Sequence, residues 1–372
     1  MTKTKTIIGL TGNIATGKSV LRRMLTNAGA LGIDADVVAH RLYYKDGPAY
    51  TQVIDTFGER IISKDGQISR QKLGQIVFSN SEKLRTLEAL LHPLVIEAIQ
   101  DRIDQSHMPI IAIEAIKLFE AGVDQICDYV WVSDASSEAQ MTRLMQGRKL
   151  TEQEASLRLA LQTSQSEKRK MADVVINTEG SFYETWEQVI NALNDTIHLQ
   201  DEFFSLNLNN PNGLIMRPAG RVPTKDLATF WEKQTHQPQD ALYELLGLQL
   251  ITTLLKEQQA KALLFWQSYN FSAVLNQVIT TSDASWSSDT IVEAFERQSL
   301  DQQCEICMIP FNVPKTCEIN PAKAWFILQP VDEIIFPHWQ TATQVITQSS
   351  KDEVWVKLVN QTGKDLAKKA KN

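Results

Sequence analysis

Gly12-Asn-Ile-Ala-Thr-Gly17-Lys18-Ser19 fits G-x-x-x-x-G-K-[ST] at every defined position, between an apolar run (Ile7, Ile8, Leu10) and a stretch of helical periodicity. Glycines let such a loop turn tightly, so that successive backbone N–H groups point at phosphate oxygens. The helix N-terminus near Gly17 adds partial positive charge. Gly12, Asn13, Ile14, Ala15, Thr16, Gly17, Lys18, Ser19 and Val20 are thus the expected contacts of a nucleoside triphosphate. Lys18 would reach the β- and γ-phosphates, and the Ser19 hydroxyl would ligate Mg²⁺. Downstream, Asp34 and Asp36 close an apolar run, and at strand spacing i and i+2 their carboxylates would share one face. Two acids beside a triphosphate can orient Mg²⁺, to which Asp34 is assigned with Ser19, or accept the proton of an attacking hydroxyl. Either acid alone could instead cap the helix that follows. Arg143 and Arg148 sit in a helical stretch followed by a charged one at 151–170, and this helical pair would close as a lid and neutralise the transferring phosphoryl group.

These residues need elements to hold them. The first half alternates short apolar runs (6–10, 30–33, 110–113, 129–133, 174–176) with helical stretches (18–28, 71–78, 81–104, 137–145, 151–172, 183–197), the pattern of a parallel sheet covered by helices. The turn-rich segment 206–213 separates it from a second half. There, helices are expected at 225–234 and 241–259, strands at 261–278, 303–310 and 324–330, and a Lys-rich helix end at 364–372. The 372 residues therefore divide as 1–200, a linker at 201–213, and an accessory α/β domain at 214–372. The fold class is α/β: a phosphate-loop kinase core with a parallel sheet and helical lid and acceptor regions, followed by a mixed α/β domain. A formal net charge of -7 argues against nucleic acid as the main partner. No apolar run is long enough to span a bilayer. Four cysteines make no disulfide framework, and a cytoplasmic location is expected.

The order of the motifs resembles the dephospho-coenzyme A kinase family. Leu10-Thr11-Gly12, Asp34-Ala35-Asp36, Phe57-Gly58 and Asp65-Gly66-Gln-Ile68-Ser-Arg70 are followed by Leu73, Phe78 and His92-Pro93. Leu118-Phe119-Glu120-Ala-Gly122 and Ala172-Asp173-Val-Val-Ile176-Asn177 complete the series, over about residues 5–200. The resemblance implies ATP-dependent phosphorylation of the ribose 3′-hydroxyl of dephospho-CoA, the last step of CoA synthesis. It implies ATP and Mg²⁺ on Lys18 and Ser19, and Asp36 with Asp34 as base or orienter. It further implies Arg143 as the lid arginine, Arg148 and Asn177 on the nucleotide, and Arg70, His92 and Glu114 on the acceptor side. Alternatives are a nucleoside or nucleotide kinase on the same core, or a nucleotide-binding regulatory protein without transfer.

Two departures stand out. The family's loop carries more glycine than Asn13 and Ala15 supply, and alanine resists positive φ. The family's aspartate and P-L-L are replaced by Glu114 and Ile116-Lys117-Leu118, where acid and lysine would alter the acceptor site or pair with each other. In the second half, Cys304 and Cys307, with Cys317 and His338 beyond, lack the paired spacing of a zinc site and are expected to be ordinary cysteines. Leu214-Ile-Met-Arg217-Pro-Ala and Asp226-Leu-Ala faintly resemble the start of a Gcn5-related acetyltransferase domain, without that family's glycine-bearing pyrophosphate loop.

Overall fold

The computed structural model describes residues 5–197, 204–208, 213–281, 288–311, 313, 319–321, 327–334, 337–347, 353–360 and 363–364. Its first sheet is built from β1 (Thr6–Thr11), β2 (Ala30–Asp34), β3 (Ile110–Glu114), β4 (Tyr129–Asp134) and β5 (Val174–Asn177), in the order β2-β3-β1-β4-β5. Every pairing is parallel, and the near-continuous burial of β1 and β3 follows from helices on both faces. Central β1 delivers the glycine loop to the C-terminal edge of the sheet, where open parallel sheets bind ligands. The helices between are α1 (Lys18–Asn27), α2 (Ala35–Leu42), α3 (Tyr50–Phe57), α4 (Arg70–Phe78), α5 (Ser81–Gln105), α6 (Ser137–Arg148), α7 (Glu152–Ala160), α8 (Gln165–Lys170) and α9 (Phe182–Thr196). The single helix expected at 151–172 is two, α7 and α8, separated at Thr163-Ser164.

The second half opens with β6 (Leu206–Asn207), β7 (Ile215–Pro218), α10 (Thr224–Thr235) and α11 (Gln239–Leu248). Then come β8 (Leu250–Lys256), β9 (Gln259–Tyr269), β10 (Ser272–Thr280) and α12 (Ser288–Asp301). It ends with β11 (Ile306–Pro310), β12 (Ile327–Pro330), α13 (Pro337–Thr347) and β13 (Glu353–Leu358). The sheet order is β12-β13-β11-β10-β9-β8-β7-β6, antiparallel except for the pair β10–β11. Two expectations fail here. The helix at 241–259 stops at Leu248, because Leu250–Lys256 is buried as a central strand. The strand at 261–278 is a hairpin, folded back at Asn270 (φ 51°) and Phe271 (φ 62°), the two left-handed residues of a tight turn. Within the expected linker, residues 206–207 pair with β7. Most of the Lys-rich end at 364–372 lies outside the described residues, as does Cys317.

One apolar cluster joins the halves. It runs from Ile8, Leu21 and Met24 through Trp186 to Trp231, Leu246 and Phe265, so that α1, the helix of the phosphate loop, is covered by both. The approach is close. A Cβ on Gly220 would stand 2.9 Å from the Cα of Ala28 and 3.0 Å from the carbonyl oxygen of Asn27. Cys304 and Cys307 are both buried, and burial pushes the Cys304 thiol up to about 12. Among the described residues no cluster of His, Cys, Asp and Glu could hold a metal ion.

Candidate active site

The loop between β1 and α1 reaches its shape through three left-handed residues: Gly12 (φ 142°), Ala15 (φ 62°) and Gly17 (φ 91°). Asn13, the better-suited residue for that role, does not take it. Ala15 carries the strain instead, on the order of 1–2 kcal/mol for an alanine. Cross-links hold the loop. Thr16 Oγ1 lies 2.6 Å from Ser133 Oγ, and Thr178 Oγ1 donates to the Thr16 carbonyl at 2.8 Å. From α6, Arg143 Nη1 donates to the Ala15 carbonyl at 3.0 Å and to Thr178 Oγ1 at 3.1 Å. From the α7–α8 corner, Gln165 Oε1 accepts from the Asn13 N–H at 2.9 Å, and Asn13 Nδ2 donates to the Thr163 carbonyl at 2.9 Å. The helical pair expected to act as a lid is thus fastened to the loop at both ends.

Lys18 is buried, with Nζ donating to the Asn13 carbonyl at 2.8 Å. Desolvation lowers its pKa to about 8, with Glu114 and Asp36 pulling the other way. The Ser19 hydroxyl donates to Glu114 Oε1 at 2.6 Å, while Glu114 Oε2 accepts from Arg22 Nε at 2.8 Å. Burial opposes the charge on Glu114, but Arg22 and Ser19 hold its carboxyl below the usual range. Glu114, expected on the acceptor side, thus faces the phosphate loop. Nor does it pair with Lys117, whose Nζ lies 2.5 Å from Glu88 Oε1 on α5. Arg22, one turn beyond Lys18 on the same helix face, is a site residue that the motif alone did not reveal.

Asp34 and Asp36 do not share a strand face. β2 ends at Asp34, which caps α2 by accepting from the N–H groups of Asp36 and Val37, each at 3.1 Å. Its Oδ2 lies 3.8 Å from Arg22 Nη2, and burial, outweighing that cation, raises its pKa. Asp36 is in the first turn of α2 and opens onto a cavity of about 670 Å³. Desolvation by surrounding protein, together with Asp34 and Glu114, raises its pKa to about 6 against the pull of Lys18 and Arg70. The cavity is walled by α2, α4, α5 and residues 115–123, with an apolar lining that includes Leu73, Val77, Leu87 and Leu91. Arg70 and His92 face it, and exposed Phe78 forms part of its lip. Burial lowers the pKa of half-buried His92.

The remaining candidates separate. Arg148 ends α6 on the surface, close enough for its charge to depress Lys18. Asn177 ends β5, exposed, with its backbone N–H bonded to Gln188 Oε1 at 3.0 Å. Val20 turns away from the loop, and its side chain packs near Gly247 of the second half. Lys168 on α8 was not legible in its charged helical stretch. It is buried, donates to the Ile116 carbonyl at 3.1 Å, and its charge depresses Lys18.

A parallel sheet with a glycine loop, a buried lysine and an acid at the mouth of an adjoining cavity define a phosphate-loop kinase of small molecules. A family model described as dephospho-CoA kinase matches residues 6–184. A dephospho-CoA kinase of Carboxydothermus hydrogenoformans is 43% identical over 190 residues, 50% of this chain and 92% of that one. The enzyme of that name from Bacillus licheniformis is 38% identical over 193 residues, 51% of this chain and 96% of its own. Among solved structures, the dephospho-CoA kinase of Campylobacter jejuni is 26% identical with a TM-score of 0.40, covering 52% of this chain and 97% of that one. The chain belongs to the dephospho-CoA kinase family.

Proposed function

We propose that this chain transfers the γ-phosphoryl group of ATP to the ribose 3′-hydroxyl of dephospho-CoA, as its family membership indicates. The observation that carries the site assignment is the position of Asp36, which both borders the 670 Å³ cavity and lies in the field of Lys18. A hydroxyl presented from the cavity is thereby flanked by an acid on one side and the phosphate loop on the other. The 3′-oxygen attacks the γ-phosphorus and its proton passes to the Asp36 carboxylate. The β–γ bridging oxygen leaves with its electron pair as part of ADP. Lys18 neutralises charge on the phosphates, and Arg143, already on the loop, adds a guanidinium from α6. Ser19 and Glu114 behind it would offer hard oxygens to Mg²⁺, which would supply neutralisation of phosphate charge when bound. Arg70, His92 and the apolar wall receive the acceptor, whose pantetheine arm suits that lining. Asp34 orients the turn, and the reaction is placed in the cytoplasm. Among the described residues no helix is long and apolar enough to cross a membrane. An acceptor panel tests the reading. ADP release should depend on dephospho-CoA, and turnover of a nucleoside monophosphate without turnover of dephospho-CoA would reject it.

A further inference from the structure

Strand β2, which ends in the Asp34 cap, is the edge of the kinase sheet. Its outer side is not left open. Gln302, just past α12, accepts from the Gly32 N–H through Oε1 at 3.0 Å and donates from Nε2 to the Ala30 carbonyl at 2.9 Å. One side-chain amide makes the pair of bonds that a neighbouring strand would make. The next residue, Gln303, is left-handed (φ 53°) and its amide reaches α5 instead. There Oε1 accepts from Arg102 Nη1 at 2.9 Å, and Nε2 donates to the Arg102 carbonyl at 2.7 Å. The Arg102 guanidinium lies 4.1 Å from the ring centroid of Phe271, at the tip of the β9–β10 hairpin. Glu305 accepts from Arg41 Nη2 on α2 at 2.9 Å, and Asn270 Nδ2 donates to the Tyr44 hydroxyl at 3.2 Å. β2, α2 and α5, which carry both aspartates and a cavity wall, are therefore each fastened by the second half. Between the fastenings a space of only about 60 Å³ remains, bordered by Asp34, Arg22, Phe271 and Gln302.

We infer that Gln302 is a positioning residue for phosphoryl transfer, its amide completing the kinase sheet edge and fixing the β2–α2 turn that presents Asp36 to the acceptor. The inference rests on the kinase reading above and assigns the second half a part in the reaction. Gly32 lies two residues before Asp34, and a slip of the edge passes directly into the cap and the first turn of α2. Displacements of this size move reacting groups out of line, which costs rate rather than nucleotide affinity.

The test compares full-length wild type with Gln302→Met, which keeps volume and loses both bonds. Gln302→Glu is the second variant, keeping the acceptor for Gly32 and losing the donor to Ala30. Val278→Ala, in the apolar core of the second half away from this strip, controls for general loosening. The expectation is a kcat about tenfold lower in Gln302→Met, with the KM for ATP within twofold of wild type and Gln302→Glu intermediate. Val278→Ala should keep wild-type kcat, and amide exchange at Gly32 should accelerate in Gln302→Met, which loses its acceptor, and not in Val278→Ala. If Gln302→Met does not fold, Gln302→Glu against Val278→Ala decides the matter in the same terms. Wild-type kcat in the Gln302 variants, or an equal loss in Val278→Ala, overturns the inference. A wild-type chain that binds ATP without dephospho-CoA turnover overturns the kinase reading first, and the inference with it.

Discussion

At the scale of single residues, Ala15 and the Lys18–Asp36 pair carry the most specific consequences. Ala15 holds φ 62° where a glycine would be unstrained. Replacing it relieves on the order of 1–2 kcal/mol of left-handed strain, set against about 0.5–1 kcal/mol of glycine entropy in the unfolded chain. Ala15→Gly should therefore raise the unfolding free energy by about 0.5–1 kcal/mol, measured by urea titration, and a loss of stability would refute the strain argument. The pH dependence follows from two displaced pKa values. Asp36, near 6, must be ionised to accept a proton, and Lys18, near 8, must be protonated to hold phosphate. For the free enzyme, kcat/KM should rise through about pH 6 and fall above about pH 8. In stability the Asp36 contribution has the opposite sense. Its folded value lies above 3.8, so the native state retains the proton that the unfolded chain releases, and this contribution is lost as pH rises through about 6. A rate profile flat between pH 5 and 7 would exclude Asp36 as the base.

At the scale of elements, the cavity makes its own prediction. Phe78 ends α4 with 82% of its surface exposed at the cavity lip, an uncommon position for a large apolar side chain. Contact with the apolar part of the acceptor would remove that surface from water. Phe78→Ser should raise the KM for dephospho-CoA roughly tenfold and leave that for ATP unchanged, in steady-state kinetics with each substrate varied. Equal effects on both substrates would place Phe78 elsewhere in the cycle. Much of this architecture was legible in the sequence. The glycine loop lies between a strand and a helix, Arg70 and His92 reach the cavity, and the five parallel strands fall where the apolar runs put them. The site failed to follow the pattern where local geometry changes within two residues. The strand rule set Asp34 and Asp36 on one face, but Asp34 prefers to cap α2, which turns the chain between them. The family resemblance put Glu114 on the acceptor side, yet Arg22, invisible to the motif, holds it to the loop. The hairpin at Asn270-Phe271 escaped notice because its turn carries no glycine.

At the scale of the whole molecule, we propose that the kinase unit at 1–200 and the accessory unit at 214–372 fold as one cooperative body. The two share an apolar cluster, and Asn27 shows how closely they are joined. Its Nδ2 donates to the carbonyls of Leu246 at 2.8 Å and Gln249 at 2.9 Å, and its Oδ1 accepts from the Ile251 N–H at 2.7 Å. Asn27→Ala would strand two buried backbone groups of the second half, the Leu246 carbonyl and the Ile251 N–H, at about 1–3 kcal/mol for each left unsatisfied, and would also free the half-buried Gln249 carbonyl. Unfolding of the full chain should lose roughly 3 kcal/mol in a single transition, and two separate transitions would contradict the joined core. The likeness of residues 214–228 to a Gcn5-related acetyltransferase start falls on β7 and α10. The residues following β10, 282–287, lie outside those described.

Whether the chain phosphorylates dephospho-CoA is decided by ADP release from ATP and Mg²⁺ upon addition of that acceptor, with full-length wild type beside Asp36→Asn. Acceptor-dependent turnover in the wild type, reduced at least a hundredfold in Asp36→Asn with ATP affinity unchanged, is the result expected for loss of a general base. Comparable turnover in the variant would remove Asp36 from the chemistry, and no acceptor-dependent turnover in the wild type would contradict the kinase itself.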